Sequence, residues 1–404
     1  MDEETDAQQD LWLRYRQDES HRQRRQEHDS DELEANGQVL RYVKAILGQA
    51  PSGGYPLYIA LHGGGGGPAF INNQQWYHMQ YYYKASIRDG VYVAPRGIGN
   101  TWDLHFRPES YVLLERLIEN MISFENVDPN RVYLLGYSAG GDGVYQITPR
   151  LAQRFAAVNM SAGHSNDVDL TNIMHVPFCI QMGEHDTAYG RHEDAVVSGQ
   201  RIATLAAVSA QNTYVHEVLL HAGRGHDFYD EDDSRQLQTV VESPEAWYES
   251  DDRRNCTKTQ VNTNAVDWVS QYTRDPFPKH LVWALETQHS GLSSPGTWYW
   301  LDIGDETSKS LGIDKIVASY DPDHNRVVVE HAKDYLCILL NEQMLSFQRD
   351  VHVLIGGQEL TFRLTASRTV QEESLAQRND WRMMFSARIT LTQQDGAWHG
   401  FSSG

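Results

Sequence analysis

Between Asn36 and about residue 275, short apolar segments alternate with longer amphipathic ones, and this alternation leaves the chain few folds to choose from. The runs "YPLYIALH", "VYVAPRG", "RVYLLGYS", "VPFCIQMG" and "TYVHEVLLH" have strand length and are rich in β-branched and aromatic residues. The segments "QQWYHMQYYYKASI", "ESYVLLERLIENMISFE" and "EDAVVSGQRIATLAAVSA" stand among them and have helix length. A strand that runs parallel to its predecessor needs a crossover of about a dozen residues or more, so the repeat predicts a mostly parallel central sheet flanked by helices. Ahead of the series, "QVLRYVKAIL" alternates apolar with polar residues and is expected at an edge; "DPNRV" is expected to open a helix.

The texture changes twice more. After "DWVSQYTRDPFPKH" come "HLVWAL", "TWYWLDI", "KIVASYD", "RVVVEHA", "YLCILL", "VHVLI", "ELTFRL" and "MMFSARITL", closely spaced and separated by turn signals such as "DPDHN" and "GG". They predict a small antiparallel β domain over residues 276–404, in which only "VQEESLAQR" reads as a helix. At the other end, residues 1–35 carry 12 acidic and five basic side chains and few apolar ones. Such a stretch cannot repay its ordering entropy alone, so it is expected as an acidic tail, disordered or a surface helix, with "DLWLRY" as the part able to dock. The expected division is 1–35, 36–275 and 276–404.

Composition removes several classes of function. The 404 residues carry a formal charge of −21, which repels nucleic-acid phosphates and anionic lipid surfaces, so neither nucleic acid nor a membrane is an expected partner. Cys179, Cys256 and Cys337 lie far apart without a CxxC pair, which suggests neither a disulfide framework nor a thiolate metal site. The first residues, "MDEETDAQQD", are acidic where a secretory leader is basic and then apolar, and no apolar run reaches about 18 residues. A cytoplasmic, soluble protein is the expectation. There is no HExxH and no Gly-Lys-Ser/Thr, so no metal and no cofactor is expected; the oligomeric state stays open.

One pentapeptide carries chemistry. "GYSAG", residues 136–140, joins the run "RVYLL" to a helix-like segment and fits G-x-S-x-G, in which a sharp strand-to-helix turn exposes a serine hydroxyl. Gly136 and Gly140 relieve the crowding of that turn, and Ser138 stands where the free amides of a helix N-terminus favour negative charge. Upstream, "LHGGGGG" (61–67) leaves a strand and offers Gly63 and Gly64 as one oxyanion donor, with Ala139 as the other. Gly64, Gly66 and Ala69 also satisfy G-x-G-x-x-A, but Pro68 interrupts that dinucleotide spacing.

An activated serine needs an acid and a histidine further along. "CIQMGEHDTAYG" puts Asp186 after a strand, with Glu184 as an alternative acid and Asp194 a more distant one; "VLLHAGRGHDFYD" puts His226 after the next strand. His226 is the expected base. His62 is expected to order the glycine loop, and Asp142 to tie down the serine turn. Trp102, in "APRGIGNTWDLHF", is expected as a wall for substrate.

With these motifs in this order, residues 37 to about 275 resemble the α/β-hydrolase superfamily, in particular esterases grouped with polyhydroxybutyrate depolymerases and feruloyl esterases. "LHGGGGGPAFINNQQW", "YVAPRGIGNTWDLHF", "DPNRVYLLGYSAGGDGVYQ" and "SAGHSND" carry the resemblance, which continues into the β domain through "TWYWLDI" and "LNEQMLSFQRDVHVLIGGQEL". It implies an α/β-hydrolase fold with a small C-terminal antiparallel β domain, and Ser138, Asp186 and His226 as a triad. The expected activity is cleavage of a small-molecule or oligomeric carboxylic ester through an acyl-enzyme. Two alternatives remain: a peptidase or amidase with the same triad, and a catalytically silent scaffold that binds a partner or glycan through its β domain.

Overall fold

The computed structural model describes residues 3–210, 212–221, 223–230, 234–236, 260–261, 264–285, 296–304, 315–332 and 334–403. The chain forms two compact units, one of residues 23–274 and one of residues 1–22 with 275–404.

The unit of residues 23–274 is built on a ten-stranded sheet in the order β1-β2-β4-β3-β5-β6-β7-β8-β9-β10. Its strands are β1 (Glu32–Ala35), β2 (Gln38–Leu47), β3 (Tyr55–Leu61), β4 (Gly90–Pro95), β5 (Val127–Tyr137), β6 (Ala157–Ser161), β7 (Phe178–Gly183), β8 (His216–His221), β9 (Ser234–Gln236) and β10 (Gln260–Val261). From β4 to β8 all neighbours pair parallel. Helices α3 (Ala69–Met79), α4 (Pro108–Phe124), α5 (Ala139–Leu151), α6 (Arg191–Ala207) and the short α7 (Ala265–Val269) flank the sheet. Tyr58, Ala60, Tyr92, Ala94, Tyr133 and Leu135 share one core with Met79 of α3 and Trp268 of α7. The residues between them, Leu57, Ile59, Val91, Val93, Val132 and Leu134, point by alternation to the opposite face and are fully buried too. Burial on both faces is why these strands read as continuous apolar runs.

The structure departs from the sequence reading at three places. β2 is not an edge strand, because the hairpin β1–β2 covers its outer side. Asn36 and Gly37, at φ 50° and 74°, make that turn, so the sheet takes in residues that the compositional boundary at 36 leaves outside. Ahead of β1, α1 (Glu3–Tyr15) and α2 (Glu19–Ser30) are helical, one of the two forms expected of the acidic stretch, and Leu11 and Trp12 of "DLWLRY" are buried. Nor does "DPNRV" start a helix: it lies within β5, where the pairing with β3 shifts register and Asp128 Oδ1 accepts the Asn130 amide, so the proline sits at an irregularity that needs no ladder donor from it. Strand β6 is an addition to the sequence-derived series.

In the other unit, two five-stranded sheets have the orders β11-β14-β15-β17-β18 and β12-β13-β16-β19-β20. The strands are β11 (His280–Ala284), β12 (Thr297–Trp298), β13 (Leu301–Asp302), β14 (Lys315–Asp321), β15 (Arg326–His331), β16 (Tyr335–Leu340), β17 (Val351–Ile355), β18 (Gln358–Phe362), β19 (Ala387–Gln394) and β20 (Ala397–Ser403), with helix α8 (Arg368–Arg378) before β19. All described pairs are antiparallel except β15 with β17, which are parallel because the intervening β16 belongs to the other sheet. Trp283 of β11 stacks on Trp298 of β12 at 6.0 Å, and Trp283, Trp298, Tyr299 and Trp300 are all buried. The aromatic runs "VWAL" and "TWYWLD" therefore pack the interior of this unit.

Candidate active site

The chain adds β4 on one side of β3 and then β5 on the other, so β3 and β5 lie at the switch point of the sheet, where loops diverge and leave a crevice at the carboxyl ends of the strands. The glycine loop leaves β3 there, and Ser138 leaves β5 beside it. Ser138 has φ 56° and ψ −122°, a strained combination for a residue with a side chain, and opens α5 as its N-cap. Two absent side chains permit the turn. A Cβ on Gly136 would lie 2.1 Å from the carbonyl oxygen of Gly140, and one on Gly140 would lie 2.1 Å from that of Leu61. The Ser138 amide donates to the Ser161 carbonyl at the end of β6 (2.9 Å).

The structure brings Ser138, His226 and Asp186 into one hydrogen-bonded line. His226 Nε2 is 3.0 Å from Ser138 Oγ, and His226 Nδ1 is 2.7 Å from Asp186 Oδ2. Asp186 is 2 % exposed, and its Oδ1 stands 3.8 Å from Arg191 Nη1. A buried carboxylate beside Nδ1 directs that nitrogen to carry the proton and leaves Nε2 basic toward the hydroxyl. The other acids are occupied elsewhere. Glu184 Oε2 accepts the Gly223 amide at 2.7 Å, and Asp194 accepts from the amide and hydroxyl of Ser165. Asp142 Oδ1 takes the His164 amide at 2.7 Å, and burial raises its carboxyl above the ordinary aspartate range.

Gly63 approaches Ser138 closely: a Cβ there would meet Ser138 Cβ at 3.2 Å. Gly64, at φ +116°, would run a Cβ into Asn72 Oδ1 at 2.2 Å. Asn72, on α3 and fully buried, is the partner of the glycine loop that sequence reasoning did not single out; the signal available was its place in "FINN" shortly after the glycine run. Its Oδ1 accepts the Gly65 amide (2.9 Å) and its Nδ2 donates to the carbonyls of Gly65 (3.1 Å) and Gly67 (3.3 Å). Ala139 opens α5, whose first-turn amides have no acceptor within the helix.

His62 does not reach the serine. Its Nε2 accepts the Gly97 amide (3.0 Å), so Nδ1 bears the proton and donates to the Gly63 carbonyl (2.6 Å). Burial, and then the neighbouring His105, hold its pKa well below the usual histidine value; burial lowers His105 to about 4 while its Nε2 donates to the His62 carbonyl. Two neutral imidazoles thus brace the loop.

A cavity of about 470 Å³ adjoins the serine, lined among others by Gly63, Gln75, Met79, Tyr82, Tyr137 and Phe228. Trp102 does not line it; its backbone lies against Gly65, and the residue is 55 % exposed, with Phe106 edge-on to its ring at 5.1 Å. Among the described residues no group of histidine, cysteine and carboxylate side chains could hold a metal ion, and no helix is long and apolar enough to cross a membrane. Cys179 and Cys337 are buried and unbridged, and Cys256 lies outside the described residues.

Residues 95–273 match the model of the Dienelactone hydrolase family, a span that holds Ser138, Asp186 and His226 and begins after the glycine loop. No curated protein matches the chain in sequence. Among solved structures, the chain is similar to a thermostable esterase (18 % identity over 61 % of this chain and 64 % of that one, TM-score 0.39). It is also similar to LpqC, a poly(3-hydroxybutyrate) depolymerase from Bordetella parapertussis (17 % identity, 47 % and 80 % covered, TM-score 0.37). A third is Est1E from Butyrivibrio proteoclasticus (11 % identity, 48 % and 89 % covered, TM-score 0.33). The chain thus spans a little under two thirds of the thermostable esterase.

Proposed function

We propose that this chain is a serine hydrolase of the α/β-hydrolase superfamily that cleaves carboxylic esters through an acyl-enzyme. The observation that carries the reading is the continuous line from Ser138 Oγ through His226 to the buried Asp186. The match to the Dienelactone hydrolase family supports ester hydrolysis.

In this reading Ser138 Oγ attacks the ester carbonyl carbon while His226 Nε2 takes its proton. The carbonyl oxygen becomes an oxyanion, which the amides of Ala139 and of Gly63 or Gly64 receive. Asp186 keeps the Nδ1 proton in place and stabilises the imidazolium. The tetrahedral species collapses, the C–O bond to the alcohol breaks, and His226 returns its proton to the departing oxygen. Water, deprotonated by His226, then attacks the acyl carbon and releases the acid and free Ser138. The cavity beside Gly63 and Tyr137 takes one side of the ester. No step calls on a metal or a cofactor.

The test is covalent labelling of the intact protein by a fluorophosphonate, read as a mass shift, together with turnover of p-nitrophenyl acetate. Stoichiometric labelling lost in Ser138→Ala is expected, with a fall in kcat on the order of 10⁶-fold, the scale of removing a triad serine. Turnover retained in Ser138→Ala would end the proposal, and a matched anilide hydrolysed as efficiently would replace esters by amides.

A further inference from the structure

We propose that Tyr137, the residue before Ser138, is a positioning residue whose phenolic hydroxyl ties the His226 loop to the strand that carries the nucleophile. The proposal rests on the serine-hydrolase reading and adds to it what keeps the base at hydrogen-bond distance.

His226 lies in the loop after β8, which is held on the β7 side by the His185 amide at the Arg224 carbonyl and by Glu184 at the Gly223 amide. Gly223, Arg224 and Asp227 are exposed, and the side chain of His226 itself is 36 % exposed, so burial does not position this stretch. The Tyr137 hydroxyl meets this loop at three backbone atoms, the Phe228 carbonyl being the most distant at 3.4 Å. It donates its single proton to the His226 carbonyl at 2.6 Å and accepts the Phe228 amide at 3.1 Å. One oxygen therefore closes over the residues on both sides of Asp227. The bonds are long-range, joining positions 89 and 91 residues apart in sequence.

The surrounding groups extend the tie. The Tyr82 hydroxyl donates to the Phe228 carbonyl at 2.8 Å, and its ring meets that of Tyr137 edge-on at 5.2 Å. Phe228 stacks on His221 with ring centroids 4.1 Å apart, and His221 Nε2 lies 2.9 Å from Gln181 Oε1 within the sheet. Phe228 is thereby anchored to β7 and β8, and Tyr137 sets the distance from that anchor to β5. Since Ser138 follows Tyr137 directly, the hydroxyl fixes the base and the nucleophile relative to each other. A loop freed to drift by an ångström costs on the order of 100-fold in rate where reacting atoms must meet at hydrogen-bond distance.

Tyr137→Phe keeps the ring in the cavity wall and removes only the hydroxyl. Tyr133→Phe is the control, since Tyr133 lies on the same strand and its hydroxyl donates to the Tyr272 carbonyl at 2.8 Å, away from the site. The full-length chain is assayed for the rate of fluorophosphonate labelling, for kcat and KM with p-nitrophenyl acetate, and for the far-downfield proton resonance of His226 Nδ1. The assignment requires three results in Tyr137→Phe: labelling and kcat fall about 10- to 100-fold, KM stays within about twofold, and the resonance broadens or disappears. Tyr133→Phe labels at the wild-type rate. Should Tyr137→Phe fail to fold, Tyr82→Phe carries the test, because its hydroxyl holds the same loop at Phe228; a lowered labelling rate with a broadened resonance is again required. Wild-type labelling and an unchanged resonance in the folded variant overturn the assignment alone. A wild-type protein that no fluorophosphonate labels overturns the serine-hydrolase reading and this assignment with it.

Discussion

Gly140→Ala tests whether the serine turn depends on backbone packed against backbone. The added Cβ would fall 2.1 Å from the Leu61 oxygen, 2.5 Å from its carbon and 3.0 Å from the His62 oxygen. All three are main-chain atoms, so no side chain can swing aside. Real Cβ contacts stop near 3.0 Å, and 3.0 minus 2.1 leaves at least 0.9 Å by which the start of α5 and the end of β3 must part. That movement separates Ala139 from the glycine loop, the two proposed sources of oxyanion donors. Overpacking of this kind costs about 1–3 kcal/mol, and in a unit of this length each kcal/mol lowers Tm by about 2–4 °C. A displacement near 1 Å at the reacting atoms costs on the order of 100-fold in rate. Differential scanning fluorimetry and the fluorophosphonate labelling rate read the two effects. Gly66→Ala is the internal control from the same glycine run, because a Cβ there meets nothing within 4 Å; it is expected to match wild type in both. Wild-type Tm and labelling in Gly140→Ala, or equal damage in Gly66→Ala, would refute the packing argument.

Asp186→Asn preserves shape but removes the charge beside His226 Nδ1, and kcat is expected to fall on the order of 10⁴-fold with Tm nearly unchanged; a loss under tenfold in steady-state assay would dismiss Asp186 as the acid. Stability should decline as pH falls from 6.5 toward 4, because His105 keeps a pKa of about 4 when folded and regains about 6.5 when unfolded, so the unfolded chain takes the proton first. That gap contributes on the order of 3 kcal/mol above pH 6.5, lost by pH 4. His62 adds to the loss in the same direction. His105→Gln should flatten the urea midpoint over that interval, and an unaltered slope would rule His105 out as its source.

Much of this arrangement is legible in sequence where the signal is local. The parallel strands announce themselves as apolar runs because both faces are buried, and the serine turn because Gly136 and Gly140 each face backbone at 2.1 Å. Asp186 and His226 are readable because each follows a strand whose end must lie on one edge of a parallel sheet. Other features escape for physical reasons. Strand β6 is five residues long and includes Asn159 and Ser161, whose side chains bond to each other inside the protein, so it lacks an apolar signature. The β1–β2 hairpin did have a signal, the Asn36-Gly37 pair, but the acidic composition around it masked a four-residue strand. The partners of Asn72 and Tyr137 are set by tertiary approach, and nothing in "FINN" or "GYSAG" says where an amide or a hydroxyl will point.

The strand order also states a distance problem. β5 and β8 are three strands apart, with β6 and β7 between them, and strands are spaced by about 4.8 Å, so the ends that carry Ser138 and precede His226 start about 14 Å apart. Yet His226 Nε2 lies 3.0 Å from Ser138 Oγ. The loop after β8 must therefore fold back over the ends of β7 and β6, and the structure records its path. A Cβ on Gly183, the last residue of β7, would fall 1.9 Å from the Gly225 carbonyl oxygen, so the loop crosses directly above that glycine. The His185 amide donates to the Arg224 carbonyl at 2.7 Å, and the Gly223 amide to Glu184. These bonds hold the crossing from the β7 side, and the Tyr137 hydroxyl takes it at the far end, on β5. Glu184 thus belongs to the route by which His226 reaches Ser138, which accounts for a carboxylate two residues from Asp186 that is bonded to the Gly223 amide.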